Sequence, residues 1–96
     1  MSVNWTETAA AQLQAVRDFI ARGSPGYAQA LAERVIRRTE LLAEFPRLGA
    51  KVPEYGDESI RELFEHPVRI VYRVTGDAVE VVAVIHASRR MPRTPP

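Results

Sequence analysis

A chain of 96 residues with a net charge of +1 and no cysteine leaves room for one domain, residues 1–96, and excludes a disulfide framework or a thiolate metal site. No apolar run approaches the ~20 residues needed to cross a bilayer, and no N-terminal stretch has the pattern of a secretory signal, so the expected setting is the cytoplasm. All thirteen basic residues except Lys51 are arginine, the side chain suited to bidentate contact with carboxylate or phosphate.

Val3 to Trp5 alternates and reads as a short edge strand. Thr6 then offers an N-cap hydroxyl, with Glu7 in the first turn, and Ala9, Leu13, Val16 and Ile20 recur at helical spacing. This helix is expected to end at Arg22-Gly23, with glycine in the left-handed cap. Ser24-Pro25 restarts the chain as N-cap and N1 of a second helix, whose stripe is Ala28, Leu31, Ala32, Val35, Ile36 and Leu42. Pro46 stops it after ~20 residues, roughly 30 Å. The short link makes the pair an antiparallel hairpin. Pro46 to Ser59, punctuated by Gly49, Pro53 and Gly56, reads as an irregular loop. Three strands come next, near Ile60–Glu65, Val68–Val74 and Val79–His86, and the proline-rich tail 91–96 is expected to fray.

Gly76-Asp77 between β-branched runs marks a tight hairpin. An uninterrupted ladder from that turn sets Tyr72 opposite Val81, Ile70 opposite Ala83 and Val68 opposite Ile85. One face then carries Val68, Ile70, Tyr72, Val74, Val79, Val81, Ala83 and Ile85. The other carries Arg69, Val71, Arg73, Glu80, Val82, Val84 and His86. Burial of the apolar face against the helical stripe gives a two-layer α+β domain in the order β-α-α-β-β-β, with a mostly antiparallel sheet. The opposite face stays open to solvent or to a partner.

Metal chemistry is not supported: His66 and His86 are the only histidines, and no HxxxH or paired-carboxylate spacing is present. There is no P-loop and no dinucleotide fingerprint, so no cofactor is expected. Ser88 near His86 is too common a neighbourhood to name a hydrolase. What remains is the open-face group Arg69, Arg73 and His86, joined by Arg61 and by Arg89-Arg90 in a segment free of acids from Val81 to Pro96. Such a group could bind phosphate or receive carboxylates. Against this, Arg73 stands opposite Glu80 and could simply pair with it.

The helical hairpin closing with LLAEFPRLG (Leu41–Gly49), and after it IRELFEHPVRIVYRVTGDAVEVVAVIHASRRMP, resembles the ParE/RelE superfamily of type II toxin–antitoxin toxins. Val68–Tyr72 looks like the family's "YRIVY" strand, and His86–Arg90 looks like its terminal "HxxR" segment. The resemblance implies the fold above and a small antitoxin partner whose acidic, amphipathic C-terminal segment folds across the toxin. RelE-like and YoeB-like members cleave mRNA in the ribosomal A site; ParE-like members are associated with inhibition of DNA gyrase. Phe64 matches a position where RelE-like nucleases carry a basic residue, and Ala87 follows His86 where YoeB-like members have tyrosine. The resemblance therefore implies a ParE-like gyrase inhibitor that is not itself a catalyst. Arg61, Arg69, Arg73, His86, Arg89 and Arg90 would then contact target or antitoxin. The alternatives are a ribosome-dependent mRNA endonuclease with Arg61, Arg69, His86 and Arg89 around the phosphate, or a non-toxic module that only binds antitoxin.

Overall fold

Capping chemistry fixes the helical hairpin. Strand β1 (Ser2–Trp5) leads into Thr6, whose Oγ1 accepts from Ala9 N at 3.0 Å and opens helix α1 (Glu7–Ala21) in the computed structural model, which describes residues 1–96. At the far end Gly23 N and Ser24 N both donate to Ile20 O, at 3.1 and 2.9 Å. The turn stays right-handed, and Gly23 does not take the left-handed conformation expected of it. Ser24 Oγ accepts from Tyr27 N at 3.3 Å and starts helix α2 (Pro25–Glu40) directly, with Pro25 in its first turn. Well short of Pro46, α2 gives way to a 3-10 turn, Leu41–Ala43, that carries Leu42 into the core.

The sheet has five strands in the order β1-β5-β4-β3-β2, where β2 is Ala50–Lys51, β3 Ile60–Glu65, β4 Val68–Thr75 and β5 Ala78–His86. β1 pairs with β5 in parallel and every other pair is antiparallel. The short β2 was not expected within the loop 46–59. At the β4–β5 turn Gly76 takes a φ of 57° while Asp77 does not, as a type II′ turn requires.

The ladder keeps the expected register from Thr75↔Ala78 to Tyr72↔Val81, then skips a residue, so that Val71 faces Ala83, Ile70 faces Val84 and Val68 faces His86. A bulge adds one residue to one strand and reverses the facing of every residue beyond it. Val84 accordingly turns toward the helices and Ala83 and Ile85 turn away, the opposite of the uninterrupted alternation. Gln12 Oε1 accepts from Val84 N at 2.8 Å, closing the edge of β5 just past the end of β1.

Two cores result. The helix-side core gathers Ala9, Leu31, Val35, Leu42, Leu63, Val68, Ile70, Tyr72, Val79, Val81 and Val84, with Trp5, Leu13, Val16 and Ile20 packed against it. The other face of the sheet is not open. Val71, Val82, Ala83 and Ile85 make it apolar, and the loop and tail cover it with Val52, Tyr55 and Met91. The tail expected to fray is held at its root: Met91 is buried, and Tyr55 Oη donates to Pro92 O at 2.6 Å.

Tyr72 closes the loop after α2 onto the sheet. It is fully buried, accepts from Gly49 N at 2.9 Å and donates to Pro46 O at 2.8 Å. A Cβ on Gly49 would run into the Glu62 carbonyl oxygen, so this approach requires glycine. Tyr72→Phe keeps the ring but strands two backbone groups, and should cost ~1–3 kcal/mol. A urea midpoint equal to the wild type would show that the two bonds contribute no net stability.

Candidate functional site

The sheet divides the basic side chains between its faces. Arg61, on the helix side of β3, donates from Nε to Gly49 O at 2.9 Å and from Nη1 to Glu58 O at 3.0 Å and Glu58 Oε2 at 3.2 Å. It braces the loop 49–58 and has little exposed surface left for a ligand.

Arg69 lies on the other face, where four of the five N–H donors of its guanidinium are taken by carboxylates. Nε and Nη2 donate to Glu62 at 2.6 and 3.0 Å, and Nη1 and Nη2 donate to Glu54 at 2.8 Å each. The Arg69 and Glu62 side chains are 14% and 16% exposed, and Glu54 is 42% exposed. The hydrogen bonds from Arg69 hold the Glu54 carboxyl at about 2, well below the ordinary value, and the two carboxylates raise the guanidinium further. Within the hairpin alone no acid faces Arg69. Glu62 comes from β3, two residues before Phe64, the residue that does face it. Phe64 itself is 54% exposed and lends no second cation.

Arg73 stands opposite Glu80 on the ladder, yet its side chain donates from Nη2 to Pro96 O at 3.3 Å, and no ion pair with Glu80 forms. His86 parts company with Arg69 and Arg73. The bulge turns it to the helix side, where it rims a groove of about 630 Å³ with Val16, Phe19, Ile20, Arg22 and Arg89. Phe19 is 70% exposed in that groove. The Nδ1 atom of His86 lies 3.1 Å from Ser88 N and 2.6 Å from Ser88 Oγ. A backbone N–H can only donate, so Nδ1 accepts from Ser88 N. Arg89 and Arg90 come next in an exposed turn and make no side-chain hydrogen bond or ion pair.

The six candidates thus form three groups. Arg61 and Arg69 are internal braces, Arg73 touches the tail, and His86, Arg89 and Arg90 share the C-terminal end of β5. No cluster of histidine and carboxylate side chains is placed to hold a metal ion. Sequence reasoning missed Glu54, Glu62 and Tyr55, although the acid-rich stretch from Glu54 to Glu65 was the available signal. It also missed a second charge cluster, in which Arg34 Nε donates to Glu65 at 2.7 Å and Arg38 Nη1 to Phe64 O at 2.7 Å, tying α2 to the edge of β3.

Residues 3–91 match the model of the ParE toxin of type II toxin–antitoxin systems. This chain belongs to the ParE toxin family. It is 36% identical over 88 residues to Toxin RelE2 of Caulobacter vibrioides, covering 91% of this chain and 96% of that protein. Its fold is similar to a chain of the chromosomal ParDE system of P. aeruginosa, with a TM-score of 0.72 and 25% identity, covering 92% of this chain and 97% of that one.

The ParE-family chain is therefore a toxin of a type II toxin–antitoxin system, and the family implies a cognate antitoxin. The family fold is the α+β arrangement described above, with two helices on a five-stranded, mostly antiparallel sheet. No helix is long and apolar enough to cross a membrane. In this member of the family the arginine of the Val68–Tyr72 box spends its donors on two carboxylates of its own chain.

Proposed function

We propose that this toxin acts in the cytoplasm as a docking protein that disturbs DNA gyrase, and that it does not cut RNA. The observation that carries this reading is the placement of Arg69 and His86 on opposite faces of the sheet. Phosphodiester cleavage needs a base for the 2′-hydroxyl, an acid for the leaving oxygen and cations for the developing charge, all around one phosphate. His86 is the one imidazole at the end of β5, and the guanidinium of Arg69, clamped by two carboxylates, lies across the sheet from it. A phosphate approaching Arg69 meets the carboxylates of Glu54 and Glu62 first. Arg89 and Arg90 make no ion pair within the chain, and two adjacent guanidiniums suit an anionic partner surface.

The relative named Toxin RelE2 favours a second reading, a ribosome-dependent mRNA endonuclease built on His86 and Arg89. One pair of assays separates them. The purified chain should inhibit supercoiling by gyrase, with recovery on addition of the cognate antitoxin, and should leave ribosome-bound mRNA intact. Site-specific cleavage of that mRNA with gyrase unaffected would overturn the proposal.

A further inference from the structure

Arg89 and Arg90 sit in a short link between two anchors. Upstream, Ala87 N donates to Pro67 O at 2.8 Å, Arg89 N donates to His86 O at 2.9 Å, and Ser88 is tied to His86 Nδ1. Downstream, Met91 is buried in the second core and the Pro92 carbonyl takes the Tyr55 hydroxyl at 2.6 Å. Only two side-chain hydrogen bonds hold the tail, this one and the longer contact from Arg73 to Pro96. Tyr55 is itself well fixed. Its ring packs on the second core, its N donates to Val52 O at 3.2 Å, and the preceding Glu54 is clamped by Arg69. Burial, and then the Glu54 charge, push the Tyr55 hydroxyl pKa up, so it remains a donor at neutral pH.

We infer that Tyr55 is a positioning residue for the Arg89–Arg90 pair: by holding Pro92 it fixes the turn that presents both guanidiniums to an acidic surface of a partner protein. The inference rests on the docking reading proposed above. Two exposed arginines with no counter-ion gain nothing from being held still within the free protein. Their order matters when they bind, because a pre-formed turn loses less conformational freedom on contact. It also gives Arg69 an indirect part, since Arg69 holds Glu54, and Glu54 sets the loop that carries Tyr55.

Tyr55→Phe removes the hydroxyl and keeps the packed ring. Backbone order parameters of Ser88, Arg89 and Arg90 should sit near the rigid value of ~0.85 in the wild type and fall toward ~0.6 in the variant. The melting temperature should barely move. Growth arrest on expression without antitoxin should need roughly tenfold more toxin, the scale expected when one or two residues must be ordered on binding. The Arg89→Ala, Arg90→Ala change keeps the bond from Tyr55 to Pro92, so residues 88–90 should stay as rigid as in the wild type while growth arrest is lost.

Three results would overturn the inference: residues 88–90 as rigid in Tyr55→Phe as in the wild type, loss of order with undiminished growth arrest, or undiminished growth arrest in the double-alanine variant. Growth arrest does not presuppose gyrase. Arrest with gyrase untouched removes the gyrase reading alone, and the same variants still decide the role of Tyr55. A wild-type chain that arrests nothing removes the docking function that the pair is said to serve, and the inference with it.

Discussion

Ile70→Ala should lower stability by ~2–5 kcal/mol, the usual cost of emptying a large aliphatic site in a packed core. Ile70 is fully buried at the centre of β4, within the same cluster as Leu31 and Val35 from α2 and Leu63 from β3. The helical layer and the sheet therefore meet at this side chain. A domain of this size holds only ~5–15 kcal/mol in total, and each kcal/mol shifts its melting temperature by ~4–8 °C. A drop of more than ~10 °C is expected in a thermal melt monitored by circular dichroism. A melt within a degree or two of the wild type would mean that the helices do not pack on this face.

Arg69→Ala should cost roughly 3 kcal/mol, the lower end of the range for breaking a buried ion pair. The lower end applies because Glu54 is 42% exposed and is partly rehydrated, whereas Glu62 is 16% exposed and is left as a poorly solvated charge. Arg69→Lys should recover only part of the loss, since an ammonium cannot reproduce the planar fork that engages both carboxylates. The pH dependence comes from Glu54. Its folded value of about 2 lies below the ordinary 4.5, so the ionised form is favoured by folding. That contribution is fully present above pH ~4.5 and is lost as the pH falls toward ~2. Chemical unfolding across this window should show a steeper decline for the wild type than for Glu54→Gln. Parallel curves, or an Arg69→Ala variant as stable as the wild type, would show that the carboxylate clamp contributes little.

Much of the fold was legible because its signals are local. Thr6, Ser24-Pro25 and Gly76-Asp77 each act on the few residues beside them, and caps and turn appear where those residues sit. The bulge left no such mark. Val81 to Ile85 is continuously apolar, so alternation reads equally well in either facing, and the extra residue at Val82 has no sequence signal. That one residue moves His86 to the other side of the sheet and breaks up the expected Arg69–Arg73–His86 surface. The remaining differences are long-range. Glu54 lies 15 positions from Arg69 and Tyr55 lies 37 from Pro92, within stretches that have no period to place them. Met91 looked like part of a polar, proline-rich end. The apolar back face that buries it joins Val71 and Val82 to Ala83 and Ile85, and the last two reach it only through the bulge.

Whether the C-terminal end of β5 docks or catalyses can be put to one comparison, growth arrest and gyrase inhibition by His86→Gln beside the double change Arg89→Ala, Arg90→Ala. A docking surface tolerates the first, because glutamine keeps a hydrogen-bonding group at the rim of the groove. It is crippled by the second, which deletes two charges that make no ion pair within the chain. A nuclease does the reverse, since general acid–base catalysis contributes ~10²–10⁴ in rate and His86→Gln alone would nearly abolish activity. The expected result is near-wild-type arrest by His86→Gln and little or none by the double variant. Cleavage of ribosome-bound mRNA by the wild type, lost in His86→Gln and kept in the double variant, would contradict it.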